Sequence, residues 1–183
     1  MGTLFKLIAD SALIAKDPDD YTECQVCGGA VPVYGAKGQL ANPPDPQDPD
    51  GDIEVYAACA PCILSGRVDQ LDQSIRATIR GACSNPGSAR SAEAALNRTP
   101  MGVPLFMQGR DWPVCCDAPT EFLGSPPSFD ALLAFTESSR EWSHGLGAPS
   151  TDFAQTGPPE GLRDVSFFEC TSCRLRYFIF QPT

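Results

Sequence analysis

The sequence predicts an α+β fold: a small mixed or antiparallel sheet with knuckle hairpins and two to four helices. Three observations carry this expectation. Apolar residues recur every three or four positions in several stretches beyond residue 62, the closing segment sets two β-prone apolar runs around a cysteine pair, and the pattern C-x-x-C occurs three times. A chain of 183 residues suits one domain and can bury a core without covalent staples, so residues 1–183 are expected to form a single domain.

Taken in order, residues 3–15 contain Leu4, Phe5, Leu7, Ile8, Leu13 and Ile14 in a pattern that neither helical nor strand periodicity fits. Lys6, Asp10 and Lys16 interrupt the apolar run, which argues against a signal peptide, and no stretch approaches the roughly 20 apolar residues of a membrane span. Lys6 also stands where a myristoylation signal wants Ser or Thr. A cytoplasmic protein with no membrane partner is expected.

"ECQVCGGAV" then places Cys24 and Cys27 on a tight turn, and "CAPC" repeats the spacing at Cys59 and Cys62. Between them "NPPDPQDPDGD", residues 42–52, carries four prolines and four aspartates and no apolar side chain, so an exposed extended loop is expected. After "CAPC", Val68, Leu71, Ile75 and Ile79 predict an amphipathic helix stopped at Gly81. "SARSAEAALNR" predicts a second helix, ended by Thr99 and Pro100 because a residue before proline avoids the helical region.

Residues 104–124 set Phe106, Trp112 and Phe122 around the doublet Cys115–Cys116, with turns marked by Gly109, Pro113 and Pro119. Irregular core with a short strand is expected there. "SPPSFDALLAFTE" predicts a helix capped by Ser128, with Phe129, Leu132, Leu133 and Thr136 facing inward. Residues 144–161, rich in Gly and Pro, predict a loop, and "DVSFFECTSCRLRYFIFQ" predicts a hairpin with Cys170 and Cys173 at its tip.

The nine cysteines cannot all pair within one chain, and a disulfide framework needs an oxidising compartment for which no export signal is seen. A C-x-x-C turn aims two thiolates at one point, and tetrahedral zinc takes two such pairs. Cys24, Cys27, Cys59 and Cys62 form the first expected site. Their spacer of 31 residues exceeds a usual zinc ribbon's, and the 42–52 insertion accounts for the excess. "CAPC" alone would also suit reversible disulfide chemistry, but the βαβ context of that chemistry is missing.

Cys170 and Cys173 call for two more ligands, for which Cys115 and Cys116 are the candidates. Neighbours in an extended segment point to opposite faces, so one of the doublet is expected to bind while the other is buried. His144 or Asp117 could then complete the site. Cys83 has no companion and reads as an ordinary core or surface thiol. One or two structural zinc ions are the expected cofactors.

The formal net charge is −10, from 23 acidic and 13 basic side chains. Residues 1–66 carry 10 acidic and 3 basic groups, 67–110 carry 3 and 6, and 111–183 carry 10 and 4. The excess opposes nucleic-acid binding. Arg67, Arg76, Arg80, Arg90, Arg98 and Arg110, interspersed with Asp69, Asp72 and Glu93, read as a solvated helix face with i,i+4 partners.

The order "CQVCG", "CAPCILSG", "NRTP", "WPVCCDAPTEFLG" and "ECTSC" resembles the CbrC-type family, which is linked to colicin tolerance. The likeness covers roughly residues 5–180, and the cluster "RTP…W…CCD…FLG" is its most specific part. In that family the first position of the doublet is usually histidine. Cys115 in its place favours metal ligation, since His and Cys share that role. The resemblance implies a bacterial, cytoplasmic, zinc-binding α+β protein connected with survival of a protein toxin, and it assigns no catalytic residue.

An enzyme is poorly supplied. The single histidine, His144, has no HExxH context, and a Cys116–His144 pair oriented by Asp117 is the remaining way to build a hydrolase. A zinc-ribbon regulator of nucleic acid is the other alternative. The expected function is a non-enzymatic immunity or tolerance protein that neutralises a basic bacterial toxin, possible classes including nucleases, with Asp45, Asp48, Asp50, Asp52 and Glu54 as its acidic partner-binding segment. A merely solubilising loop is the bland counterpart.

Overall fold

The computed structural model describes residues 2–41, 54–104, 111–142 and 151–182. The expected α+β class holds: among these residues there are three sheets and five α-helices, two of the helices only four or five residues long.

The N-terminal segment is a strap, which explains its lack of period. Phe5 and Ile8 are buried, a 3₁₀ turn spans Asp10–Ala12, and Ile8 and Ala15 make single bridges to Phe122 and Tyr34. Strand β1 (Val33–Leu40) pairs antiparallel with β2 (Glu54–Cys59), whose end runs directly into helix α1 (Ala60–Leu64). The short β3 (Val68–Asp69) pairs with the other edge of β1, giving the order β2-β1-β3.

Here the expected helix start moves. Val68 is a strand residue opposite Leu40, and α2 runs Gln73–Ala82, with the Asp72 side chain accepting the Ile75 N–H at 2.9 Å. The N-cap carboxylate won over the apolar spacing because it satisfies an otherwise orphaned donor. Gly81 lies inside the helix and Cys83 caps it. Helix α3 (Pro86–Asn97) is capped by Asn85 and ends before Thr99 and Pro100, as expected. Buried Gln70 ties its end down, donating to the Thr99 carbonyl at 2.8 Å and accepting the Met101 N–H at 3.1 Å.

The segment around the doublet forms a two-residue hairpin, β4 (Val114–Cys115) and β5 (Ala118–Pro119), followed by β6 (Glu121–Gly124). Helix α4 (Phe129–Thr136) begins where Ser128 accepts the Ala131 N–H at 3.2 Å. After β7 (Ser139–Glu141), a short α5 (Phe153–Thr156) interrupts the expected loop. Residues 144–150 of that loop, His144 included, lie outside the described residues, as do 42–52 and Phe106.

Strands β8 (Val165–Glu169) and β9 (Arg176–Phe180) form the terminal hairpin, and the second sheet has the order β6-β8-β9-β7. It is mixed, because β7 runs parallel to β9. β8 is buried along its whole length, since the sheet has a core on each face. Phe168, Tyr177 and Ile179 join the larger core with Trp112, Phe122, Ile63 and Leu96. Val165, Phe167 and Phe178 point the other way, into a smaller core with Leu132 and Phe153 from α4 and α5. The larger core also carries both cysteine clusters on its borders, with Cys24, Cys62 and Cys115 packed into it.

The basic stretch pairs across elements rather than along one helix. Arg76 of α2 bridges Asp69 at 2.7 Å and Glu93 of α3 at 3.2 Å, and Arg80 reaches Glu93 at 2.9 Å. These bonds fasten α2 to α3 and consume charge that a phosphate-binding face would need.

Candidate metal centres

Each centre is built from two turns that meet. In the first, Cys24 donates its N–H to the Gly29 carbonyl at 2.8 Å and accepts the Gly28 N–H at 2.8 Å. Gly28 has φ +66°, which glycine adopts without steric cost, and this closes the turn over both thiols. The Gln25 side chain then docks the turn on β2: its Oε1 accepts the N–H groups of Tyr56 at 2.7 Å and Ala57 at 2.9 Å. Cys59 ends β2 and caps α1, so Cys62 returns one helical turn later to the same side.

The four sulfurs of Cys24, Cys27, Cys59 and Cys62 lie within 4.8 Å of one another. Cys27 and Cys59 are 3.8 Å apart. A tetrahedral metal with metal–sulfur bonds of about 2.3 Å sets its sulfurs about 3.8 Å apart, whereas a disulfide needs about 2.05 Å. All nine cysteines are free thiols. The residues therefore fit a four-coordinate ion. Arg67 adds a donor, its Nη1 standing 3.6 Å from the Cys62 sulfur, and the Cys59 N–H lies 3.2 Å from that of Cys24.

The second centre repeats the first turn without glycine. Cys170 donates to the Leu175 carbonyl at 2.8 Å and accepts the Arg174 N–H at 2.9 Å, and Arg174 has φ +62°. Buried Glu169 holds this tip from below, pairing with Arg174 at 2.7 Å and Arg176 at 3.2 Å.

The doublet departs from expectation. Cys116 and Asp117 have φ +52° and +63°, so they are the two central residues of the β4–β5 turn rather than part of an extended segment. Positive φ at both positions matches a tight hairpin turn. The reversal brings both thiols to one side, and Cys115, Cys116, Cys170 and Cys173 all lie within 4.8 Å of one another. Cys115 is 3.6 Å from Cys173 and 3.9 Å from Cys116. Asp117 is not in this cluster. Its carboxylate accepts the N–H and hydroxyl of Ser84 at 2.6 and 2.5 Å, which hold it below the usual carboxylate range. Cys83 stands apart, half-buried against the core.

Electrostatics make each cluster a cation trap. Burial pushes the Cys24 thiol up, but the N–H groups of Cys59, Val26 and Cys27 outweigh it and hold the thiol at about 7. The Leu175 N–H, joined by the neighbouring thiols, likewise holds Cys173 at about 7. Burial raises Cys59, Cys62 and Cys115, and crowding by Cys173, Cys115 and Cys170 pushes Cys116 up to about 12. One thiolate forms easily in each cluster and repels the next. A divalent ion would relieve that repulsion.

Three supporting residues escaped the sequence reading. Gln25 and Tyr177, whose hydroxyl counters part of the upward shift that burial gives the Cys115 thiol, carry no motif signal. Arg67 was visible only as part of a basic stretch, five residues after Cys62. Of the acidic segment, Asp45, Asp48, Asp50 and Asp52 lie outside the described residues. Glu54 is exposed and accepts a hydrogen bond from the Tyr56 hydroxyl. Among the described residues, no helix is long and apolar enough to cross a membrane. Compared with known protein families, curated proteins and solved structures, the chain matches none.

Proposed function

We propose that this chain is a non-enzymatic protein of the CbrC type whose two four-cysteine clusters hold structural zinc, and which acts in the cytoplasm as an immunity or tolerance protein against a basic bacterial toxin. The observation that carries the metal half is the convergence of eight thiols into two groups, each within 4.8 Å. Four soft thiolates in a tetrahedron suit zinc. Four protein ligands leave no coordination position for a water, so the sites favour structural over hydrolytic work.

Support for the partner half is electrostatic. With a net charge of −10, and the arginines of α2 tied to Asp69 and Glu93, the protein offers little to a phosphate backbone and much to a basic surface. The motif order that resembles the CbrC-type family supplies the link to toxin tolerance. The test is binding of the zinc-loaded protein to a purified basic toxin domain at about 0.01 M and about 1 M ionic strength, where screening lengths are about 30 and 3 Å. Tight association that slows with salt, together with protection of a cell expressing the toxin, is expected. No association with any basic toxin domain at the lower ionic strength defeats the reading.

A further inference from the structure

On the side of the smaller core, at the end of β8 opposite Cys170, Asp164 ends the 3₁₀ turn Leu162–Asp164 and is only 3% exposed. Its backbone is committed, donating to the Gly161 carbonyl at 3.0 Å and accepting the Gln181 N–H at 3.0 Å. Its side chain is not. Oδ1 is buried and meets no hydrogen-bond donor. A buried carboxyl group without a donor is costly, and native proteins tolerate it where something else supplies the missing partner.

Asp164 lines a cleft of ≈ 330 Å³, together with Phe153, Phe180, Pro158, Pro159 and Glu160. The rings of Phe153 and Phe180 stand edge to face at 5.2 Å and 71°. Gly161 leaves space beside the carboxyl group, because a Cβ there would sit 3.4 Å from both carboxyl oxygens. The cleft thus joins an unpartnered acid to aromatic and proline walls, with a second, exposed carboxylate at Glu160.

We propose that this cleft binds a small primary alkylammonium ion, its N–H groups donating to Asp164 and its alkyl chain lying against Phe153 and Phe180. The volume is at the lower end of the range for small-molecule sites. An ammonium supplies the missing donors and the opposite charge at once, and aromatic faces favour a cation beside them. A neutral alcohol of the same length could donate one hydrogen bond but could not compensate the charge, so the site separates the two.

The test titrates the intact, metal-loaded chain with butylammonium and with 1-butanol, following the ring resonances of Phe153 and Phe180. Saturable binding of butylammonium is expected, at least about 10-fold tighter than that of butanol. Asp164→Asn should weaken it at least about 10-fold while the melting temperature holds or rises, since an unpartnered buried acid is removed. Gly161→Ala should weaken it too, by filling the space beside the carboxyl group, and it serves if Asp164→Asn does not fold. Failure of butylammonium to saturate at millimolar concentration, equal affinity for butanol, or unchanged binding in a folded Asp164→Asn overturns the proposal.

Discussion

At the scale of single residues, the cysteines divide by position rather than by exposure. Cys59 belongs to a cluster while Cys83 packs alone against the core. Cys59→Ser should therefore lose one bound metal and cost on the order of 4 kcal/mol or more, the range typical of a lost metal site, whereas Cys83→Ser should cost about 1 kcal/mol. Denaturant melts of the two variants check this, and the reverse order would mean the ligands are misassigned. Gln25 is a positioning residue: Gln25→Ala leaves the N–H groups of Tyr56 and Ala57 without their acceptor and should cost about 1–3 kcal/mol. Protons supply a further check. Near pH 7.5, Cys24 and Cys173, held at about 7, are mostly thiolate, while Cys59, Cys62, Cys115 and Cys116 are raised above an ordinary thiol and stay protonated. An ion entering either site must expel at least two protons, so affinity falls as pH falls. Calorimetric titration in buffers of different ionisation enthalpy should show that release, and binding independent of the buffer would contradict it.

At the scale of elements, the turns matter more than the helices. β1 and the chain after α3 pass so closely at Gly35 and Gly102 that a Cβ on Gly35 would lie 2.9 Å from the Gly102 carbonyl oxygen. Gly35→Ala should consequently force the backbones apart and cost about 1–3 kcal/mol, read from a shifted denaturation midpoint without loss of metal. The same scale shows what was legible in the sequence. Ser128 announced α4, Pro100 announced the end of α3, and the terminal hairpin with Cys170 and Cys173 at its tip stands where its apolar runs placed it. Periodicity overran at Val68 because β3 satisfies Val68 through β1, a partner nearly thirty residues back that no local pattern contains. The geometry of the doublet was hidden for a different reason. Positive φ at a cysteine has no signature in sequence, so alternation along a strand was the natural expectation and the turn reversed it. The first cluster was readable because C-x-x-C fixes local geometry by itself, and only its docking through Gln25 required the fold.

At the scale of the whole molecule, two clusters clamp segments that are distant along the chain. The first joins residue 24 to residue 62, the second residue 115 to residue 173, and both lie at the edge of the larger core. Binding free energy at such sites is folding free energy, because the unfolded chain has no preformed site. The strongly acidic surface adds self-repulsion that the core and the clamps must offset. The most direct measurement is the metal content of the purified chain together with its thermal unfolding before and after chelation. Two zinc ions per chain, and loss of the cooperative transition once they are removed, are the expected result. A metal-free chain that keeps the same cooperative melt would contradict the account, leaving the eight clustered thiols without a structural role.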